Sequence, residues 1–236
     1  MKNEVIKIEN IKNNKREFPF KEVPTSRWIL SFLAVIALFA LPNIAEIENR
    51  ILLSIILILT SVIPALIVDK RFFKEVIKPV KIKDIFLIII TIILSFVVAI
   101  TMANLLKGSN LADNPVKDLL NPENIYLLLG FTLLSLMAEE ILFVIPFLFV
   151  YNKTKANKTI KTIVAIIISS VIFGLAHLWA YNFNIVQCLG VIGTLRIVVS
   201  MPYVLRKNLL LTYLTHVLYD WIIFISIYYE TTKGLI

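Results

Sequence analysis

Long apolar runs separated by short polar ones make up nearly the whole chain. Seven of these runs (28–44, 51–68, 85–105, 125–150, 163–181, 185–205 and 208–229) are long enough to cross a bilayer as helices. They predict an all-α polytopic transmembrane bundle with one helical domain. A polar, charged stretch of some two dozen residues precedes the first run, so that run does not read as a cleavable signal peptide. Residues 1–22 mix Lys, Glu and Asn and read as a disordered or interfacial tail. Residues 106–124 form the longest loop and read as a passive connection or a cover over a site. No internal repeat is evident.

Composition agrees with this pattern. Hydrophobic residues are 58% of the chain, and the mean hydropathy of +0.85 lies outside the range of soluble domains. A single cysteine, Cys188, excludes an internal disulfide framework. The net charge of +8 raises the question of nucleic acid, but its placement answers otherwise. With the N-terminus inside, the inner segments 1–27, 69–84, 151–162 and 206–207 hold 19 of the 24 Lys and Arg. The outer segments hold only Arg50, Lys107, Lys117 and Lys233. That is a positive-inside pattern, with basic loops against anionic headgroups and no nucleic-acid partner. It predicts a cytoplasmic N-terminus and an outer C-terminus. Trp28, Tyr126, Tyr151, Trp179 and Tyr181 near the span ends suit interfacial belts.

Few ionisable residues lie inside the spans: Glu139, Glu140, His177, Arg196, His216 and Asp220. A carboxylate at mid-bilayer costs about 2.5–3.5 kcal/mol on insertion scales, so the adjacent Glu139 and Glu140 imply proton transfer, metal ligation or ion handling. They differ by about 100° around a helix, so only one faces a given centre. His216 and Asp220 are four apart and share a face, as do Phe173 and His177. Gly174 and Ala176 allow a neighbouring helix to approach closely. On these boundaries Glu139 and His216 plot near mid-membrane and His177 nearer the outer surface. A proton-coupled transporter is a further reading, but no paired halves support it.

The set Glu139-Glu140 with Phe143, then Phe173-x-x-x-His177, then His216-x-x-x-Asp220 resembles the CPBP family of CAAX-processing and bacteriocin-processing intramembrane proteases, also called the Abi family. That family's pattern reads Glu-Glu-x-x-x-Arg, Phe-x-x-x-His and His-x-x-x-Asn/Asp on successive helices. The resemblance divides the chain into a cytoplasmic tail (1–27), variable transmembrane helices (28–124) and a catalytic core (125–229). It implies an endopeptidase acting on a peptide or membrane protein in a bacterial plasma membrane, in bacteriocin maturation or self-immunity. Glu139 is then the base that activates water, His177 helps hold that water, and His216 and Asp220 stabilise the carbonyl oxygen. No cofactor is required by this scheme; zinc stays open, with Glu139, His177 and His216 as its ligands. One position departs from the pattern: Val144 stands where the arginine would pair with Glu140. Arg196 is the candidate substitute partner. The alternative is a degenerate member that regulates another membrane protein, or confers immunity, without cleaving.

Overall fold

A computed structural model describes residues 17–119 and 125–233. Seven helices are long and apolar enough to span a membrane: α1 (Thr25–Ile44), α2 (Arg50–Val68), α4 (Ile82–Leu105), α5 (Ile125–Lys153), α6 (Lys158–Ala176), α7 (Ile185–Arg206) and α8 (Leu209–Thr232). A short helix α3 (Phe72–Val76) lies in the loop after α2. No strand occurs among the described residues. Asparagines start four of the long helices. The side chains of Asn49, Asn157, Asn184 and Asn208 each accept a hydrogen bond from a backbone N–H of the first turn, satisfying donors that have no intrahelical partner.

Helix α5 is the centre of the bundle. Ile141 to Leu148 are almost wholly buried, because α1, α2, α6 and α8 all pack around α5. Helices α4 and α8 close the other side, with α7 between α4 and α6. The apolar faces of α1, α2 and α4 are instead exposed, as at Ile51, Ile82 and Ile93, which suits helices whose outer surface meets lipid.

The spans differ from the apolar runs in two informative places. The fifth run continues to residue 181, but α6 ends at Ala176 and His177 is its C-cap. Hydropathy does not register this break; beyond it the chain runs in turns to residue 183, where Asn182 and Phe183 both have positive φ, 51° and 57°. The sixth run is not one regular helix. A π-helical turn, Cys188–Gly193, interrupts it, and it kinks again at Ser200 before Pro202 starts a last turn. Such widened turns rotate the side chains that follow them and recur at functional sites.

The tail is also partly corrected. Its first 16 residues lie outside the described residues, but residues 17–24 tuck beneath the bundle. Phe18 packs edge-on against Phe147 and Tyr151, at 4.9 and 4.7 Å, and Phe20 stacks on Phe72 at 5.2 Å. Asn152 and Lys153 donate to the carbonyls of Pro19 and Val23. Trp28 and Tyr151 are therefore core residues, each 1% exposed, whereas Tyr126 and Trp179 remain on the surface.

Close packing of α6 on α7 rests on two glycines. A Cβ at Gly174 would collide with the Cys188 carbonyl oxygen, and one at Gly193 would sit 3.2 Å from the Ser170 oxygen. Nothing lies within 4 Å of a Cβ at Gly130. Gly174→Ala is therefore expected to lower stability by about 1–3 kcal/mol through overpacking, while Gly130→Ala leaves it unchanged or raised. Thermal unfolding of the two variants in detergent checks the contrast.

Candidate active site

The two glutamates on α5 have different fates. Glu140 is completely buried and forms a two-pronged ion pair with Arg196 of α7: Nη1 donates to Oε1 and Nη2 to Oε2, both at 2.7 Å. The guanidinium is held between two aromatic faces, 4.3 Å from the Phe143 ring and 4.6 Å from the Phe173 ring, an arrangement favourable to a desolvated cation. Glu139, one residue earlier, points elsewhere and keeps 16% of its side chain exposed, at a cavity.

Both histidines have one nitrogen committed to the protein. The Nδ1 of His177 lies 2.8 Å from the Phe173 carbonyl oxygen; a carbonyl only accepts, so this nitrogen carries a proton and donates it. The Nδ1 of His216 lies 2.9 Å from Glu140 Oε1 and donates by the same argument. Arg196 Nη1 is 3.3 Å from that Nδ1, but two donors facing each other make no bond. Each ring therefore presents Nε2 to the cavity. Glu139 Oε2 stands 3.6 Å from Nε2 of His177 and 3.8 Å from Nε2 of His216. Asp220 Oδ2 is also 3.8 Å from Nε2 of His216, one turn along α8. These gaps exceed hydrogen-bonding distance and suit a bridging water.

Thus the structure brings together Glu139, His177, His216 and Asp220 around one cavity, with Glu140 directly behind them. The apparent depth mismatch of His177 disappears because α6 stops short and sets His177 at its end, level with Glu139. The cavity measures about 430 Å³, and Ala99, Val116, Val191, Leu195, Ile223 and Phe224 give it largely apolar walls. Tyr181 also lines it; burial, with Asp220 and Glu139 adding to it, raises the phenol above its ordinary pKa, so it remains a neutral hydroxyl.

Two features had no signal in the spacing of the motifs. Phe143 and Phe173 act as the two faces of the Arg196 clamp, a relation between three helices. Gln187 joins the loop over the cavity to the start of α7, its amide exchanging hydrogen bonds with the Ala112 backbone at 2.7 and 2.9 Å. Asn184 adds bonds to the Ser109 and Asn110 carbonyls. The long loop is therefore a pinned roof rather than a free connection, as far as residue 119; residues 120–124 lie outside the described residues.

Among the described residues no three His, Cys, Asp or Glu side chains are arranged to hold a metal ion. Glu139, His177 and His216, the residues that would hold a zinc ion, share the cavity.

Residues 121–222 match the family described as Rce1-like, type II CAAX prenyl endopeptidase. The match contains Glu139, Glu140, His177, Arg196, His216 and Asp220. Neither a curated protein nor a solved structure matches the chain.

Removing one partner of a buried ion pair leaves the other charge uncompensated, at a cost of about 3–5 kcal/mol. Arg196→Met is expected to destabilise by that amount. The double variant Glu140→Gln/Arg196→Met, in which no charge is orphaned, should recover most of the loss. Unfolding of the three proteins in detergent measures both.

Proposed function

We propose, from the match of residues 121–222 to the family described as Rce1-like, type II CAAX prenyl endopeptidase, that this chain is a membrane-embedded endopeptidase in which Glu139 activates water. The observation that carries the reading is the convergence of Glu139 with two Nε2 atoms at 3.6 and 3.8 Å. One water placed there meets a carboxylate oxygen and the lone pair of His177, whose tautomer the Phe173 carbonyl sets.

Glu139 takes one proton of the water while its oxygen attacks the scissile carbonyl carbon; His177 accepts a hydrogen bond from the other water proton and fixes its orientation. His216, as imidazolium, donates from Nδ1 to Glu140 and from Nε2 to the developing oxyanion. The carboxylates of Glu140 and Asp220 flank it and balance its charge. Collapse of the tetrahedral intermediate reforms the carbonyl and breaks the C–N bond. Glu139 gives its proton to the departing nitrogen, leaving an amine and a carboxylic acid that keeps the second water proton until it ionises in water. Glu140 and Arg196 touch none of the reacting atoms and are positioning residues.

The non-cleaving alternative drew its support from Val144. That support weakens because Arg196 brings a guanidinium to Glu140 from another helix. The biological setting proposed with the activity, bacteriocin maturation or self-immunity, rests on the family resemblance.

Cleavage of a quenched-peptide library by the purified protein in lipid tests the reading. Glu139→Gln is expected to lose about 10²–10⁴-fold in rate without losing its fold, and His216→Ala to fall comparably. Asp220→Asn, which keeps a polar group beside His216, should retain far more activity than Asp220→Ala. Cleavage that persists in chelator agrees with the scheme. Full activity in Glu139→Gln would sink it.

A further inference from the structure

The catalytic cavity has a direction. Besides the side chains of the site, its lining comes from one end of the bundle: the loop residues Asn114, Pro115, Val116, Ala180 and Tyr181. Ala99 lies in the second half of α4, and Ile223 and Phe224 lie in the second half of α8. No lining residue comes from the connections at the other end, 69–81, 154–157 or 207–208.

That other end is closed by packing. Below the Glu140–Arg196 pair, Phe143, Phe147, Tyr151 and Tyr203 are 0–1% exposed. Their rings interlock, Phe147 meeting Tyr203 at 5.6 Å. Phe18 of the tail is inserted into the same stack, 5.4 Å from Tyr203. Inter-loop bonds add to the closure: Asn208 exchanges hydrogen bonds with the Lys78 backbone, and Arg206 pairs with the buried Asp84 at 3.1 Å. A close-packed core of this kind has no passage for a peptide.

The two ends also differ in charge. The closed end carries the basic segments, including Lys21, Arg71, Lys74, Lys158 and Lys207, whereas the connections at the open end carry only Arg50, Lys107, Lys117 and Lys233 among the described residues. An excess of Lys and Arg in short loops marks the cytoplasmic side. The closed end is then cytoplasmic, and the cavity opens away from the cytoplasm.

We infer that the substrate reaches Glu139 from the extracytoplasmic face and is an apolar peptide segment displayed there, from an exported peptide or the outer part of a membrane protein. This deepens the protease reading and rests on it for the word substrate; the direction of opening stands on packing and charge alone. The apolar walls select the character of the segment, because a charged side chain among Val191, Leu195, Ile223 and Phe224 would be desolvated without a partner. The roof pinned by Asn184 and Gln187 restricts entry to an extended chain rather than a folded domain.

Labelling with a membrane-impermeant maleimide decides the direction without reference to activity. In a Cys188→Ala background, single cysteines go to Ala180 (cavity rim), Ile223 (cavity wall) and Lys74 (closed end). In intact cells Ala180→Cys and Ile223→Cys are expected to label as fully as after permeabilisation, and Lys74→Cys only after it. Labelling of Ile223→Cys only after permeabilisation, or not at all, overturns the inference. Sealed proteoliposomes, their orientation read by the same labels, then receive an impermeant quenched apolar peptide on one side. Cleavage is expected from the Ala180 side. Cleavage solely from the Lys74 side rejects the substrate assignment and keeps the protease. Loss of all cleavage in detergent rejects the protease, while the labels still report which way the cavity faces.

Discussion

Glu140, Arg196 and the two phenylalanines around the guanidinium fix the relative positions of α5, α6 and α7, and the rest of the site follows from them. A buried ion pair of this kind adds little net stability, because desolvation offsets most of the attraction. Its contribution is register. The two-pronged geometry at 2.7 Å allows one rotation of α7 against α5, and the aromatic faces from α5 and α6 allow one depth. A sliding or rotated α7 would leave a carboxylate and a guanidinium unpaired in an apolar interior.

From that frame the adjacent glutamates acquire separate work. The turn of about 100° between neighbouring helical residues sends one carboxylate into the ion pair and the other into the cavity. Glu140 also holds His216 by Nδ1, so the pair orients a second side chain on α8. The Phe173 carbonyl does the same for His177. Both rings are aimed by groups that only accept hydrogen bonds, which leaves Nε2 of each for chemistry. The π-helical turn in α7 comes just before Arg196, and Gly174 and Gly193 let α6 approach α7 closely.

Enclosure has the same origin as orientation. The aromatic stack that continues from Phe143 through Phe147 to Tyr203 closes one end, and a loop pinned to the first turn of α7 covers the other. The carboxylates therefore face a compartment of low polarity, where hydrogen bonds to charge are stronger than in bulk solvent.

The all-α architecture and the membrane-spanning character were legible in the chain because they depend on local quantities, the length and apolarity of each run. The close approach at Gly174 and the shared faces of His216 with Asp220 and Phe173 with His177 were legible for the same reason, since helical periodicity converts spacing into direction. What the chain by itself did not determine were relations between segments distant along it. Arg196 could be named as the partner of Glu140 because it is the one cation inside the spans, but the two-pronged geometry of that pair, the end of α6 before residue 181, the burial of Trp28 and Phe18, and the clamp of Phe143 and Phe173 all required the helices to be assembled. Hydropathy reports how willingly a residue leaves water; only packing decides which neighbour it meets there, because partner, angle and depth are settled jointly by several helices filling one volume.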